Sequence, residues 1–311
     1  MRVAILGAGS LGCLLAGFLS KTKEELWLLD KDCFRANQLN NSGIRIEGVS
    51  GNWQAKVKAT SDIKQVPPCE LIIICVKAYD TKQAVPSIRP LLVQNTRVLS
   101  LQNGIGSLEI ISEIVGEERV IGGATELGAT LIETGLVRHC GEGETIIGRI
   151  DGKIPVELRS IRELFQSAGL NVRVSRDIRS LLWSKLLINV GINALTAITG
   201  LPNGKLLEFE GTRRILRNAV AEATRVAKRK RIKLIYDDPL AKVEAVCEAT
   251  ANNLSSMLQD VLSQKRTEVD FINSVVVRLA QEMAIPTPVN TLLLDLVRTI
   301  ELSYNITFKH K

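Results

Sequence analysis

A chain of 311 residues, 45% of them hydrophobic, can fill one large domain or two ordinary ones with a real core, which excludes a disordered polypeptide. Its 40 basic and 33 acidic side chains leave a formal charge of +7, a mild balance that suits an anionic ligand. Nucleic acid is not expected as a partner, because only 4% of residues are aromatic and the densest basic run, RVAKRKRIK at 225–233, reads as the solvated side of a long helix.

The chain opens on a strand-like MRVAILGAG, so no signal peptide is expected, and its apolar runs read as too short or too interrupted for a membrane span. Next come a helical SLGCLLAGFLSK, a strand ELWLLD, and GIRIEGVSGNWQAKVKAT, which reads as a local antiparallel hairpin. LIIICVKA, RVLSLQNG and RVIGGAT are further strands, SLEIISEIVG is a helix, and GLVRHCGEGETIIGR reads as a second hairpin. Strands apolar throughout are those of a parallel sheet covered on both faces. From about Ser180 onward the pattern turns helical, which marks a domain change. The expectation is an α/β, Rossmann-type doubly wound N-terminal domain over residues 1–178, binding a dinucleotide, and an all-α C-terminal domain over residues 179–311, binding substrate and carrying catalysis.

GAGSLG at residues 7–12 is a GxGxxG directly after a strand and directly before a helix, the context in which that pattern carries weight. Gly7 permits the tight turn, Gly9 lets a pyrophosphate approach the backbone, and Gly12 lets the helix pack closely; Ala8, Ser10 and Leu11 fill the same turn. Asp30 ends the second strand, where a carboxylate favours the ribose hydroxyl of NAD, while Lys31 beside it attracts the 2′-phosphate of NADP. Lys77 and Asn103 stand at the carboxyl ends of two further strands, where a cofactor should run.

In WSKLLINVGIN, residues 183–193, Lys185, Asn189 and Asn193 recur every fourth residue along one helical face of an otherwise apolar segment. Buried polar groups are costly unless paired, so the stripe reads as the lining of a cleft. Asn253 and Ser256 share a face of a later helix, and Thr267 with Asp270 resembles a capping box that places Glu268 in a first helical turn. The six cysteines (Cys13, Cys33, Cys69, Cys75, Cys140, Cys247) are scattered without a CxxC pair, which predicts reduced thiols in a cytoplasmic protein, and no metal site is expected.

GAGSLG, VKAYDT, LQNG, WSKLLINVGINALTAITGLPNG and SSMLQDVLSQKRTEVDFIN, in this order and spacing, resemble the 2-dehydropantoate 2-reductase (ketopantoate reductase) family over nearly the whole chain. The resemblance implies a two-domain enzyme of pantothenate and coenzyme A biosynthesis that reduces 2-dehydropantoate to (R)-pantoate with NADPH. It places the proton donor on Lys185 and substrate contacts on Asn103, Asn189, Asn193, Asn203, Asn253 and Ser256. Cofactor contacts fall on Gly7 to Gly12, Lys77, Asn103, Ala129 and Glu268, with Asp30 and Lys31 at the ribose end. Asp30 departs from the family's common pattern, so NAD is not excluded.

Reducing a 2-oxo acid needs an acid to protonate the carbonyl oxygen as negative charge develops. Only two histidines are present, His139 in the second hairpin and His310 one residue from the end, and Lys185 can do that work instead. Two other readings stay open: a reductase of another branched 2-oxo acid or imine, and a dinucleotide sensor without turnover. The apolar helical domain offers a surface for a homodimer.

Overall fold

A computed structural model describes residues 1–306, so His310 lies outside the described residues. The chain forms two compact units, residues 1–102 with 107–178, and residues 103–106 with the chain from Arg179 onward.

The first unit opens with β1 (Arg2–Leu6), α1 (Ser10–Leu19), β2 (Glu25–Leu29), α2 (Cys33–Ser42), β3 (Ile44–Gly48), β4 (Trp53–Ala55) and β5 (Lys58–Thr60). It continues with β6 (Cys69–Ile74), α3 (Thr81–Ala84), β7 (Leu92–Ser100), α4 (Ser107–Val115) and β8 (Val120–Thr125). It closes with β9 (Gly128–Glu133), β10 (Leu136–Gly141), β11 (Thr145–Gly148), α5 (Val156–Ser167) and β12 (Val172–Val174). The main sheet runs β12-β11-β8-β7-β6-β1-β2-β5; the six strands from β5 to β8 run parallel to one another, and β11 pairs antiparallel with β8. Strand order reverses between β1 and β6, and at such a switch point a doubly wound sheet opens a crevice beyond its carboxyl ends. The two-sided burial expected of parallel strands is plain in β6, where Leu71, Ile72, Ile73 and Ile74 are each 0% exposed. The fold is the Rossmann-type arrangement that the apolar strands predict.

A second sheet, β4-β3-β10-β9, packs on α1 and corrects one expectation. β3 and β4 do pair antiparallel, but residues 135–149 are not a hairpin. Gly135, at φ 82°, turns the chain back so that β10 pairs antiparallel with β9 and takes β3 on its other edge, while β11 leaves to join β8 in the main sheet. The positive φ is one that glycine adopts without Cβ strain, so the tight turn falls there and not in the GEGE stretch.

The second unit is helical: α6 (Ile178–Thr199), α7 (Glu210–Arg229), α8 (Pro239–Ala249), α9 (Ser256–Leu262), α10 (Asn273–Glu282) and α11 (Pro288–Ser303). Its core joins Leu186, Leu187 and Val190 of α6 to Ala219, Val220 and Ala223 of α7 and Val243 of α8. Gly191 allows that approach, since a Cβ there would stand 2.8 Å from Val243 and 2.9 Å from Val220. Glu222, 3% exposed, is buried in this unit and accepts from the backbone N–H groups of Val289 and Asn290 and from the Asn290 amide, closing the start of α11. Arg225, Lys228, Arg229, Lys230, Arg231 and Lys233 lie exposed, as the helical reading of the basic run requires.

α6 corrects the expectation about apolar runs. It is 22 residues long with a mean hydropathy of 1.5 in its most apolar window, enough in length and composition to cross a membrane, but 72% of that window is buried inside the protein. Its apolar residues share a core with those of α7 and α8, which accounts for its hydropathy as that of a core helix.

Candidate active site

At the end of β1 the three glycines of the turn answer to three different constraints. Gly7 has φ 111°, and a Cβ there would meet the Val76 backbone nitrogen at 2.7 Å. A Cβ on Gly12 would overlap the Gly7 carbonyl oxygen. Gly9, at φ −80°, has nothing within 4 Å of a Cβ and no strain to relieve. Neither sterics nor backbone strain therefore requires glycine at position 9. It is the N-cap residue of α1, the helix begins without a side-chain cap, and the space above it suits a phosphate lying on the first-turn N–H groups. The turn fits the diphosphate of a dinucleotide.

The loops after β6 and β7 are tied together by a residue that sequence reasoning passed over. Gln102, 9% exposed, donates from Nε2 to the Val76 carbonyl at 2.9 Å and to Thr81 Oγ1 at 2.7 Å, while its Oε1 accepts from Ser100 Oγ at 2.9 Å. Lys77 follows Val76 directly and leads into the short 3-10 turn Ala78–Asp80. Ala129 lies on β9 of the second sheet, opposite His139. His139 is 2% exposed, its Nδ1 stands 2.7 Å from Ser50 Oγ, and burial holds its pKa below the ordinary value. It belongs to the second sheet's packing.

At the end of β2, the structure adds a residue to the pair read from sequence. Asp30 has a side chain 7% exposed; its Oδ1 accepts from the Asp32 backbone N–H at 2.9 Å and its Oδ2 pairs with Arg35 Nη2 at 2.8 Å. Lys31 is 85% exposed and stands 3.6 Å from Asp80.

In the helical unit, Lys185 and Asn189 are half-buried on α6 and Asn193 is 6% exposed, so the stripe sinks into the protein toward its carboxyl end. Asn189 Nδ2 is buried with no hydrogen-bond partner among the described residues. An unpaired buried amide costs about 1–3 kcal/mol, which a ligand carboxylate or hydroxyl would recover. One turn further, Thr196 Oγ1 lies 2.6 Å from Ser255 Oγ.

Asn253 and Ser256 do not share a helical face, contrary to expectation. Ser255 is the N-cap of α9, accepting from Leu258 N–H at 3.1 Å, so Ser256 is its first residue and Asn253 stands in the preceding turn. Both are exposed, and the Asn253 carbonyl accepts from the Asn203 N–H at 3.0 Å, which brings those two asparagine positions together. Asn203 Nδ2 donates to Thr250 Oγ1 at 2.9 Å, while its buried Oδ1 has no partner among the described residues.

The expected capping box does not form either. Thr267 Oγ1 accepts from Val269 N–H, the Thr267 N–H goes to Glu301 at 2.7 Å, and Glu268 precedes a 3-10 turn, Val269–Phe271. Asp270 is drawn away by two arginines, Arg298 at 2.6 Å and Arg266 at 3.0 Å. Residues 103–106 pack against this turn: Ile105 N–H donates to the Phe271 carbonyl at 3.0 Å, and a Cβ on Gly104, which has φ 81°, would overlap that oxygen. Asn103 Nδ2 then reaches Glu268 Oε2 at 3.3 Å, with Glu268 5% exposed. Two residues 165 apart in sequence, each singled out on its own, are in contact.

Burial raises the Asp270 pKa, but the bonds from Arg298 and Arg266 outweigh it and leave the carboxyl below its ordinary value. A carboxylate so held contributes stability that is present in full above the unfolded-state pKa of about 4 and lost as pH falls through the folded value. Asp270→Asn is expected to lower the melting temperature at pH 7 and to flatten its decline from about pH 5 to pH 3, as followed by circular dichroism. Parallel pH curves for variant and parent would count against the two-arginine clamp.

Among the described residues no group of three or more His, Cys, Asp or Glu is placed to hold a metal ion, and all six cysteines are free.

A doubly wound sheet with a glycine turn at its switch point is the architecture of a dinucleotide-binding protein. The Ketopantoate reductase PanE/ApbA profile matches residues 3–152 and the Ketopantoate reductase PanE/ApbA C-terminal profile matches residues 177–301. The chain belongs to the ketopantoate reductase family. It is 35% identical over 299 residues to a 2-dehydropantoate 2-reductase of Halobacterium salinarum, covering 96% of this chain and 98% of that one. Among solved structures, a PanE/ApbA family ketopantoate reductase from Ralstonia eutropha JMP134 superposes with a TM-score of 0.90 at 34% identity, over 97% of this chain and 99% of the other. D-mandelate dehydrogenase, in a ternary structure with NADH and anilino(oxo)acetate, superposes with a TM-score of 0.91 at 26% identity, over 99% of this chain and 100% of the other.

Proposed function

We propose that this protein reduces 2-dehydropantoate to (R)-pantoate in the cytoplasm, using NADPH, with Lys185 as the proton donor. The observation that carries the reading is the α6 stripe, in which a half-buried lysine is followed at four-residue steps by an asparagine with an unpaired buried amide and by a buried asparagine. The bound dinucleotide supplies the hydride. The Lys185 ammonium hydrogen-bonds the ketone oxygen, stabilises the negative charge that develops there, and gives up the proton. Asn189, Asn193, Asn203, Asn253, Ser256 and Asn103 orient the carboxylate and hydroxyl of the substrate without adding a competing negative charge. Gly7 to Gly12 hold the diphosphate, Asp30 and Lys31 meet the ribose end, and Lys77, Asn103, Ala129 and Glu268 complete the cofactor contacts. The first unit is accordingly the dinucleotide-binding domain and the second the substrate domain, with assembly as a homodimer through the latter. The test is the fall in absorbance of NADPH and of NADH, side by side, on addition of 2-dehydropantoate. Oxidation of neither would reject the reading.

A second reading keeps the fold and replaces the substrate with a 2-oxo acid carrying a different side chain, reduced with NADH. The superposition on NADH-bound D-mandelate dehydrogenase, together with Asp30, favours it. The same assay with a panel of 2-oxo acids separates the two.

A further inference from the structure

We infer that Arg35 selects the cofactor: by neutralising Asp30 at the end of β2 it makes room for a 2′-phosphate where a bare carboxylate would admit only a ribose hydroxyl. The inference rests on the dinucleotide reading above. Arg35 stands on the first turn of α2, whose N-cap Asp32 accepts from the Phe34 and Arg35 backbone N–H groups and so fixes where the side chain starts. Its Nη2 bridges two features of the nucleotide end, Asp30 Oδ2 at 2.8 Å and the Ala8 carbonyl in the glycine turn at 2.7 Å. Both contacts use that one nitrogen. Arg35 Nε is buried without a partner among the described residues, and the side chain as a whole remains 37% exposed.

The electrostatics follow from this placement. An unpaired carboxylate beside the ribose accepts hydrogen bonds from its hydroxyls and repels a phosphate dianion. Paired at 2.8 Å, Asp30 and Arg35 together carry no net charge, and the guanidinium keeps N–H donors suited to a phosphate. Each Asp30 oxygen accepts one bond within the protein, so lone pairs are left for a ribose hydroxyl and NADH is still accommodated. Lys31, 85% exposed, adds positive charge that solvent and salt screen, and so contributes less. An acidic residue at a strand end does not by itself dictate NADH when a neighbouring arginine holds it.

The experiment is a titration of the full chain with NADPH and with NADH, each followed by nicotinamide fluorescence, for the parent, Arg35→Gln, Arg35→Lys and Asp30→Asn. Arg35→Gln is expected to weaken NADPH binding by about tenfold or more, the worth of a charge-assisted bond, while NADH changes by less than about threefold. Arg35→Lys should recover part of the NADPH affinity, and Asp30→Asn should weaken NADH relative to NADPH. Equal weakening of both nucleotides by Arg35→Gln would overturn the inference, because it would mean that Arg35 acts only by holding the Ala8 carbonyl and the glycine turn. No change in either would overturn it as well. A parent protein that binds neither nucleotide would instead end the dinucleotide reading and this inference with it.

Discussion

Replacing Lys185 with alanine is expected to lower kcat for 2-dehydropantoate reduction by at least about 100-fold while leaving NADPH binding within about twofold of the parent. An alkoxide forming on the ketone oxygen needs a cation beside it and a proton to take, and an ammonium supplies both. Nothing else named in the helical unit's stripe can substitute, since Asn189 and Asn193 are neutral amides. His139 lies buried in the second sheet, with its Nδ1 against Ser50. Lys185→Arg separates the two contributions: it keeps the positive charge, but a guanidinium does not release a proton near neutral pH. Its kcat should therefore fall between those of parent and alanine variant. Steady-state kinetics with a parallel fluorescence titration of NADPH would measure both effects, and near-normal turnover in Lys185→Ala would defeat the assignment.

The glycine turn yields a second large and divided effect. Gly12→Ala puts a methyl group into the Gly7 carbonyl, which is backbone and cannot swing aside, so we expect a loss of about 2–3 kcal/mol in unfolding free energy by overpacking. Gly9→Ala puts the same methyl into open space at an unstrained φ of −80°, so the melting temperature should hold. NADPH affinity in that variant should nevertheless fall by about tenfold or more, because the methyl occupies the approach to the first-turn N–H groups. Two alanines three residues apart would thus report separately on folding and on ligand approach. If Gly9→Ala bound NADPH as tightly as the parent, the diphosphate would not lie where the turn suggests.

Much of the fold was legible because parallel strands buried on both faces advertise themselves. The unbroken LIII of β6 and the glycine turn after β1 place the switch point with little ambiguity. Less regular pieces were lost for identifiable reasons. The strands β10 and β11 are neighbours in sequence but belong to different sheets, and only the turn at Gly135 betrays it. The helix α5 carries Leu158, Ile161, Leu164 and Phe165 at helical spacing, a signal that was present and passed over.

Site residues divide along a similar line. The α6 stripe is a local periodicity and could be read directly. Arg35 sits on a helix where only Ala36 and Leu39 are buried, and it matters because of a carbonyl 27 residues earlier. Its spacing of five from Asp30, across an Asp32 N-cap, was the available clue. The Asn103 to Glu268 bond spans 165 residues, and no pattern within either segment predicts it. Asn253 and Ser256 do not share a face because Ser255 caps α9, so the helix begins at Ser256 and Asn253 lies three residues before it.

The helix that bears Lys185 is 22 residues long and apolar enough to pass for a membrane span, and its most apolar window is 72% enclosed once the chain has folded. While it is being synthesised that shelter does not yet exist, and the segment's length and composition alone would suit a bilayer. Lys185, the eighth of its 22 residues, is a charge that such a segment would carry into a bilayer at a cost. The residue proposed to finish the reaction therefore also biases the newborn segment toward water, and a variant with leucines along the stripe would lose both safeguards at once.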